Sequence, residues 1–251
     1  MRDERQSQTA FGVALARAVE NAEPDGRRIL EDPYAVEFVR DASGRLFTTR
    51  LAFAVVRHAI GAVMPGMVEF VAICGRYSDD VVTAEARDGA EQYVILGAGF
   101  DTAALRLRAA LPSLEIFEVD HPATQAAKRR TIARIDPGDR ARVRLVPVDF
   151  ERDDLVERLE AAGFDPARRS VVTWMGVSYY LTEEAIAGTL DRLARLLAPG
   201  SALAFDYVPP SVVDGTARHR AARFGTRRAA RVGEPFLFGV ELPALDALVE
   251  R

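Results

Sequence analysis

The sequence has few residues that bind metals through sulfur or nitrogen. Its 251 residues include one cysteine, Cys74, and three histidines, His58, His121 and His219. A single cysteine excludes an internal disulfide, and so few thiols and imidazoles exclude a metal cluster built from them. The composition still allows a metal site made only of carboxylates. Apart from that case, we expect no metal.

Long apolar runs and an excess of positive charge are also missing. No run approaches the roughly 18 residues that a membrane-spanning helix requires, and residues 1–6 lack the apolar core of a secretion signal. The formal net charge is −4, so there is no overall basic excess to bind nucleic acid. We therefore expect a cytoplasmic protein without membrane or nucleic-acid partners.

Lysine is nearly absent, because Lys128 is the only lysine among 33 basic residues. We interpret this as a codon bias of the genome rather than as a functional feature. The remaining composition, 49% hydrophobic and 28% charged, is sufficient for one large α/β domain with a buried core.

A short apolar run that ends in a glycine turn is the most informative feature present. Residues 94–96, Val-Ile-Leu, lack alternation, as is typical of a strand buried on both faces. Gly97, Ala98 and Gly99 follow, and glycines at this place let the backbone approach a ligand closely. Asp120 ends the next apolar run, 21 positions after Gly99. An acid at that distance commonly binds a ribose, so the pattern predicts a nucleoside-containing cofactor.

The residues after the glycines distinguish between two such cofactors. The third glycine of the dinucleotide fingerprint is replaced by Thr102, and Asp101 lies where a pyrophosphate would meet a helix N-terminus. A carboxylate there would repel phosphate. S-adenosylmethionine carries an ammonium, a sulfonium and a ribose but no phosphate, and it fits this loop better.

Strand and helix signals alternate after about residue 90, whereas the preceding part is mostly helical. We predict helices near 8–20 and 46–60, a turn or helix start at Asp32-Pro33-Tyr34 and a break at Met64-Pro65-Gly66. The later elements are strands at 93–97, 114–119, 143–148, 171–175 and 201–208 and helices at 101–110, 122–135, 152–162 and 182–197. This alternation predicts a parallel, doubly wound sheet that binds its ligand at the carboxyl ends of the strands.

Further candidate contacts follow from those strand ends. Asp149 could accept the exocyclic amine of adenine while Phe150 covers the ring; the alternative for Asp149 is a helix cap. Arg76 could clamp the carboxylate of the methionine part, and its alternative is a solvated helix arginine. We also include Trp174 and His121, although a capping or packing role is the stronger interpretation of His121.

Several ordered motifs together resemble the bacterial S-adenosylmethionine-dependent methyltransferases related to leucine carboxyl methyltransferase. They are residues 28–35, 76–80, 94–102, 106–107, 118–122 and 148–150. The resemblance implies a class I methyltransferase fold of the Rossmann-like type. It places Arg76 near the cofactor carboxylate and Asp101 with the glycines beside the methionine part. It places Asp120 at the ribose, and Asp149 with Phe150 at adenine.

The chain departs from that family in two places. Many relatives have Ala-Glu-Gly where this chain has Trp174-Met175-Gly176, and a Trp-Leu-Gly-Val subgroup of natural-product O-methyltransferases looks closer. The family sheet also ends with a sixth strand and an antiparallel seventh, which we do not find. We therefore expect a single domain, with residues 1–90 as a helical extension or lid and residues 91–251 as a cofactor-binding core that lacks its final strands.

The methyl acceptor is expected to be a small molecule with a carboxylate or hydroxyl group. Transfer to oxygen depends chiefly on positioning, and Tyr180 is the preferred catalytic contact. A hydroxyl acceptor would benefit from a base, for which the candidates are His121, Tyr179, Tyr180, Asp206 and Tyr207. A non-catalytic cofactor-binding protein and a nicotinamide-dependent oxidoreductase remain as alternatives.

Overall fold

The computed structural model describes residues 8–43, 49–138, 143–150, 152–231, 233 and 235–249. The first part of the chain is helical, as the sequence predicts. Its helices are α1 (Gln8–Asn21), α2 (Ala35–Ser43), α3 (Arg50–Val63) and α4 (Met67–Arg87). The turn at Asp32-Pro33-Tyr34 precedes α2 directly, because the Asp32 carboxylate accepts the backbone N–H groups of Tyr34 and Ala35.

The later part of the chain alternates between strands and helices. Its elements are β1 (Gln92–Leu96), α5 (Ala103–Leu107), β2 (Glu115–Asp120), α6 (Pro122–Ile135), β3 (Val143–Pro147), α7 (Leu155–Ala161), β4 (Ser170–Trp174), the 3₁₀ turn Ser178–Tyr180, α8 (Glu183–Leu196), β5 (Ala202–Phe205), α9 (Pro210–Val213), α10 (Arg220–Arg231) and α11 (Leu242–Val249). The strand order is β3-β2-β1-β4-β5, and all four pairings are parallel. The order reverses between β1 and β4, which is where such sheets bind ligands.

Side-chain capping explains most differences between predicted and observed helix starts. The Asp154 carboxylate accepts the N–H groups of Val156 and Glu157, so α7 begins at Leu155 rather than at residue 152. Asp101 likewise accepts the N–H of Ala103, and α5 begins there.

The last predicted strand is shorter for another reason. Its final ladder pair joins Phe205 to Trp174, the last residue of β4, so residues 206–208 have no strand beside them in the part of the chain that the structure describes.

Alternation along the strands divides the apolar side chains between the two faces of the sheet. Val94 and Leu96 of β1 join the larger cluster, which also contains Trp174 of β4, whereas Tyr93 and Ile95 join a cluster covered by α4 and α5. Both faces are therefore packed. The prediction of a sheet buried on two sides is confirmed.

The N-terminal helices pack on one another, with α4 against a face of the sheet and α1 over the carboxyl end of β1. Helix α1 packs against α2 and α4, and a small apolar cluster that includes Val19, Val39 and Phe53 holds them together. The predicted break at residues 64–66 turns α4 by 103° from α3. Within the described ranges, no one helix is long and apolar enough to cross a membrane, although this bent pair passes the same length and composition test when joined.

An ion pair lies buried between the sheet and α6. Lys128 Nζ is 2.5 Å from a carboxylate oxygen of Glu118 in β2, and both side chains are 1% exposed. Two charges removed from water in this way depend on each other, because neither has solvent to replace its partner.

We predict that Lys128→Met lowers the free energy of unfolding by about 3–5 kcal/mol, because it leaves the Glu118 charge buried and uncompensated. Urea denaturation followed by circular dichroism measures the change. The double variant Lys128→Met/Glu118→Leu should recover most of the loss. As a control, Arg195→Met breaks the exposed pair with Asp191 and should cost less than about 1 kcal/mol. A double variant no more stable than Lys128→Met would contradict the prediction.

Candidate cofactor and acceptor site

A cavity of about 110 Å³ lies at the switch point of the sheet, between the carboxyl ends of β1 and β4 and the helices α1 and α4. Its walls are formed by Thr9, Val13, Arg17, Met67, Phe70, Val71, Cys74, Gly75, Ser78, Tyr93, Ile95, Leu96, Gly97, Asp101, Thr173, Met175, Gly176, Tyr179, Tyr180 and Asp206. A larger cavity of about 370 Å³ lies between α2 and α6. We assign the site to the smaller one because Gly97 of the glycine turn and Asp101 line it.

The glycine turn is shaped by close approach and fixed to the neighbouring strand. Gly97 has φ 67°, and a Cβ there would lie 2.3 Å from Cγ2 of Val177, so only glycine fits. The Ala98 N–H donates to the carbonyl of Val119 at 2.9 Å, and the Gly99 N–H donates to Asp120 at 2.6 Å. The end of β2 therefore holds the loop in place.

Both carboxylate oxygens of Asp120 accept hydrogen bonds from backbone N–H groups. One accepts the N–H of Gly99 and the other that of His121, at 2.7 Å. Burial raises the pKa of Asp120, although these hydrogen bonds oppose the rise. The His121 Nδ1 accepts the N–H of Ala123 and caps α6, as its alternative interpretation anticipates. The cofactor contacts predicted for Asp120 and His121 remain predictions.

Asp101 lies between two arginines. Arg17 of α1 donates to its carboxylate at 2.9 Å, and Arg106 of α5 lies 3.8 Å away. Burial disfavours the charged form of Asp101, but Arg17 and Arg106 outweigh it and hold its pKa well below the usual range. Asp101 is therefore ionised throughout the physiological range.

The same arginines bind two more carboxylates, which extends the pair into a charge cluster of five side chains. Arg106 makes a bidentate contact with Asp79 of α4, at 2.8 and 3.0 Å, and Asp32 lies within 3.4 Å of Arg106. Two arginines and three aspartates leave one formal negative charge beside the cavity. A cationic ligand group is favoured there.

Asp206 follows β5 and has an unusual environment. Its Oδ1 accepts the N–H of Gly176 at 2.9 Å, while its Oδ2 is buried without a hydrogen-bond partner among the described residues. Burial raises the pKa of Asp206 from 3.8 to about 6. Burial, followed by the charge of Asp206, raises the pKa of Cys74 to about 11. Burial and the charge of Asp206 also raise the pKa of the buried Tyr179 phenol.

Of the ten predicted cofactor residues, Gly97 and Asp101 line the cavity, and the other eight, including Arg76 and Trp174, lie outside its wall. Arg76 is on the exposed side of α4, where it pairs with Asp80 at 2.9 Å. Trp174 is 1% exposed and packs against Phe205 in the larger core cluster, because alternation in β4 turns Thr173 and Met175 towards the cavity instead. These positions do not support a cofactor contact by either side chain.

The remaining predicted residues are distributed around the strand ends. Tyr180 lines the cavity and contacts the ring of Phe236 edge to face. Asp149 lies after β3 near Arg152, and Phe150 is 43% exposed, so its ring is available to a planar ligand. Their functional roles stay predictions.

Sequence reasoning missed Arg17. It is 3% exposed and donates to Asp101 and to the carbonyl of Phe100. Its only signal is a charged residue on the buried face of an apolar helix, and such a residue requires a partner that the local sequence does not show.

The family model of leucine carboxyl methyltransferase matches residues 10–194. The chain belongs to this family. It is 36% identical, over 217 residues, to a protein of Mycolicibacterium gilvum named as an S-adenosyl-L-methionine-dependent methyltransferase, covering 85% of this chain and 69% of that protein. A protein of the same name from Mycobacterium avium is 37% identical over 236 residues, covering 90% of this chain and 73% of its own length. The crystal structure of a DUF574 family protein from Streptomyces avermitilis superposes with a TM-score of 0.61 at 16% identity, over 84% of this chain and 80% of that one.

These matches make the chain an S-adenosylmethionine-dependent methyltransferase of the class I fold, and the site is consistent with that cofactor. The glycine turn leaves no room for a side chain at Gly97. The charge cluster offers a net negative charge to the ammonium and sulfonium groups and would repel a phosphate. Gly97 and Asp101 line the cavity, and that these residues together with Gly99 and Asp120 bind the cofactor stays a prediction.

We predict that Asp120→Ala weakens the binding of S-adenosylhomocysteine more than tenfold. The change removes the acceptor for the ribose hydroxyls, each such bond being worth about 1.5–3 kcal/mol, and it also releases the glycine turn. Isothermal titration calorimetry measures the affinity. Asp191→Ala, an exposed change on α8, is the control. Unchanged affinity in Asp120→Ala would remove Asp120 from the site.

We further predict that Asp206→Asn raises the free energy of unfolding by about 1–2 kcal/mol near neutral pH, because an unpaired buried charge is replaced by a neutral isostere. The folded-state pKa of Asp206 is raised, so the wild-type protein loses stability as the pH rises from 3.8 to about 6. The advantage of the variant should therefore shrink below that window. Thermal unfolding across pH measures it, and a constant difference at every pH would contradict the assignment.

Proposed function

We propose that this methyltransferase transfers the methyl group to an oxygen atom of a small molecule. The observation that carries the proposal is the cavity at the switch point, which the helices α1 and α4 cover. A covered cavity of about 110 Å³ suits a small acceptor group better than a folded protein surface. The family match favours oxygen, because the name of the family describes transfer to a carboxyl group.

The lining of the cavity supports an acceptor with an apolar body. Phe70 and Met67 of α4 line it, together with Tyr179 and Tyr180 of the 3₁₀ turn. Aromatic rings bind flat apolar groups and exclude water from between them. The sequence Trp174-Met175-Gly176-Val177 at the end of β4 resembles that of natural-product O-methyltransferases, so we assign the reaction to secondary metabolism. We also assign it to the cytoplasm.

The residues act mainly by positioning. When bound, S-adenosylmethionine supplies an electrophilic methyl group on its sulfonium. The glycine turn and the charge cluster would fix the donor, while the hydroxyl group of Tyr180 in the cavity wall would orient the acceptor. The helices α1 and α4 exclude water. Bringing two reactants into line in this way can supply most of the rate enhancement of such a displacement.

We predict label transfer from methyl-labelled S-adenosylmethionine to oxygen in a panel of small aromatic hydroxyl and carboxyl compounds. Tyr180→Phe should lower turnover about 3–10-fold and leave donor affinity unchanged, because only one polar contact to the acceptor is lost. Tyr77→Phe, an exposed change on α4, is the matched control. Methyl transfer to nitrogen or carbon alone would contradict the proposal. Full turnover in Tyr180→Phe would contradict the role of Tyr180.

A further inference from the structure

The Asp206 carboxylate is a buried hydrogen-bond acceptor with one oxygen unused. The N–H of Gly176 holds Oδ1 at 2.9 Å, and this contact fixes the orientation of the group at the cavity wall. Oδ2 is buried and has no partner among the residues that the structure describes. A buried carboxylate oxygen without a donor costs free energy, so its retention requires an explanation.

Among the described residues, none of the groups near Asp206 donates a hydrogen bond to Oδ2. The neighbours that its charge affects are Cys74 of α4 and Tyr179 of the 3₁₀ turn, and both stay neutral because their pKa values are raised. The nearest cation in the wall, Arg17, is already engaged by Asp101 and by the carbonyl of Phe100. A ligand with a hydrogen-bond donor is the remaining partner.

An anionic acceptor group is disfavoured at this position. A carboxylate placed against Asp206 would set two like charges together in a site of low polarity, which raises the free energy of both. A hydroxyl group instead donates its proton to Oδ2 and satisfies it. Methyl transfer to oxygen allows either a carboxylate or a hydroxyl acceptor. The surroundings of Asp206 favour the hydroxyl.

We propose that Asp206 is the proton acceptor for a phenolic hydroxyl, and hence that the methyl acceptor is an aromatic hydroxyl compound rather than a carboxylate. This inference rests on the proposed function. It makes Asp206 a catalytic residue, because its Oδ2 contacts the reacting hydroxyl, and it assigns the aromatic wall of Phe70, Tyr179 and Tyr180 to the ring of the acceptor.

The step balances with Asp206 as the only base. The phenolic oxygen forms a bond to the methyl carbon as the carbon–sulfur bond breaks, and the electron pair of that bond stays on sulfur, which becomes a neutral thioether. The hydroxyl proton passes to Oδ2 of Asp206 and leaves to solvent when the product departs. No oxidant, metal or further reactant is required.

The acidity of the base selects a phenol over an aliphatic alcohol. The pKa of Asp206 is about 6, and that of a phenol is about 10, so a proton can pass between them as the oxygen loses charge to the methyl group. An aliphatic hydroxyl is several units less acidic and would remain protonated. General-base assistance of this kind is typically worth about 10²–10⁴-fold in rate.

The test compares 4-methylphenol with 4-methylbenzoate, two probes that share a ring and differ in the acceptor group. Calorimetric titration into the full chain saturated with S-adenosylhomocysteine gives both affinities at about pH 7.5. We expect 4-methylphenol to bind at least about tenfold more tightly, and we expect Asp206→Asn to reduce this ratio about tenfold by removing the repulsion. Asp191→Asn, on the exposed face of α8, should leave the ratio unchanged.

A pH series on the unmodified protein gives a second readout without any variant. Lowering the pH from about 7.5 to about 5 protonates Asp206, so the affinity for 4-methylbenzoate should rise there while that for 4-methylphenol changes little. Asp101 stays ionised and Cys74 and Tyr179 stay neutral over this range. In Asp206→Asn the pH dependence should disappear, and the pKa of Cys74, followed by thiolate absorbance, should fall.

Three results would overturn the assignment of Asp206. They are tighter or equal binding of 4-methylbenzoate, failure of both probes to bind, and a more than tenfold loss of S-adenosylhomocysteine affinity in Asp206→Asn. The last would place Asp206 in the donor site instead. Methyl transfer to carboxylate oxygen alone would overturn this inference and leave the proposed function intact. Transfer only to nitrogen or carbon would overturn the proposed function, whatever the probe affinities show.

Discussion

Arg17 of α1 binds one oxygen of the Asp101 carboxylate at 2.9 Å, and Arg106 of α5 lies 3.8 Å from the other oxygen. This shared ion pair fixes the two parts of the molecule relative to each other. Asp32 joins it from the segment before α2 and also accepts the hydroxyl of Thr102 at 2.7 Å. The cavity exists because α1 is attached here, over the carboxyl end of β1.

The same cluster explains how one loop can carry a carboxylate so close to the ligand. Burial alone would raise the pKa of Asp101, whereas the two arginines lower it and keep the carboxylate ionised. Among the described residues no arginine pairs with Asp206, and burial raises its pKa. The surroundings therefore lower the pKa of Asp101 and raise that of Asp206, although both carboxylates line the same cavity. Pairs of this kind commonly divide acid and base roles between them.

The order of strands and helices was predictable because each β-α unit has a strong local signal: an apolar run, a turn and a capping residue. The glycine turn and Asp120 were predictable for the same reason, since their spacing is local. Arg17 and Asp206 were harder. The importance of Arg17 arises only when α1 folds over the loop, 84 residues away in sequence. Trp174 was misleading because strand alternation, rather than position at a strand end, decides which side chain faces the cavity.

Because lysine is nearly absent, Lys128 of the buried Glu118–Lys128 pair can serve as a chemical probe of local opening. Every other basic side chain is a guanidinium, so Lys128 is the one side-chain amine in the sequence, and it is 1% exposed. An acylating reagent can reach it only when α6 separates from β2 for a moment. The rate of its modification therefore reports, at a single atom, how often α6 separates from the cofactor-binding sheet while the rest of the protein stays folded.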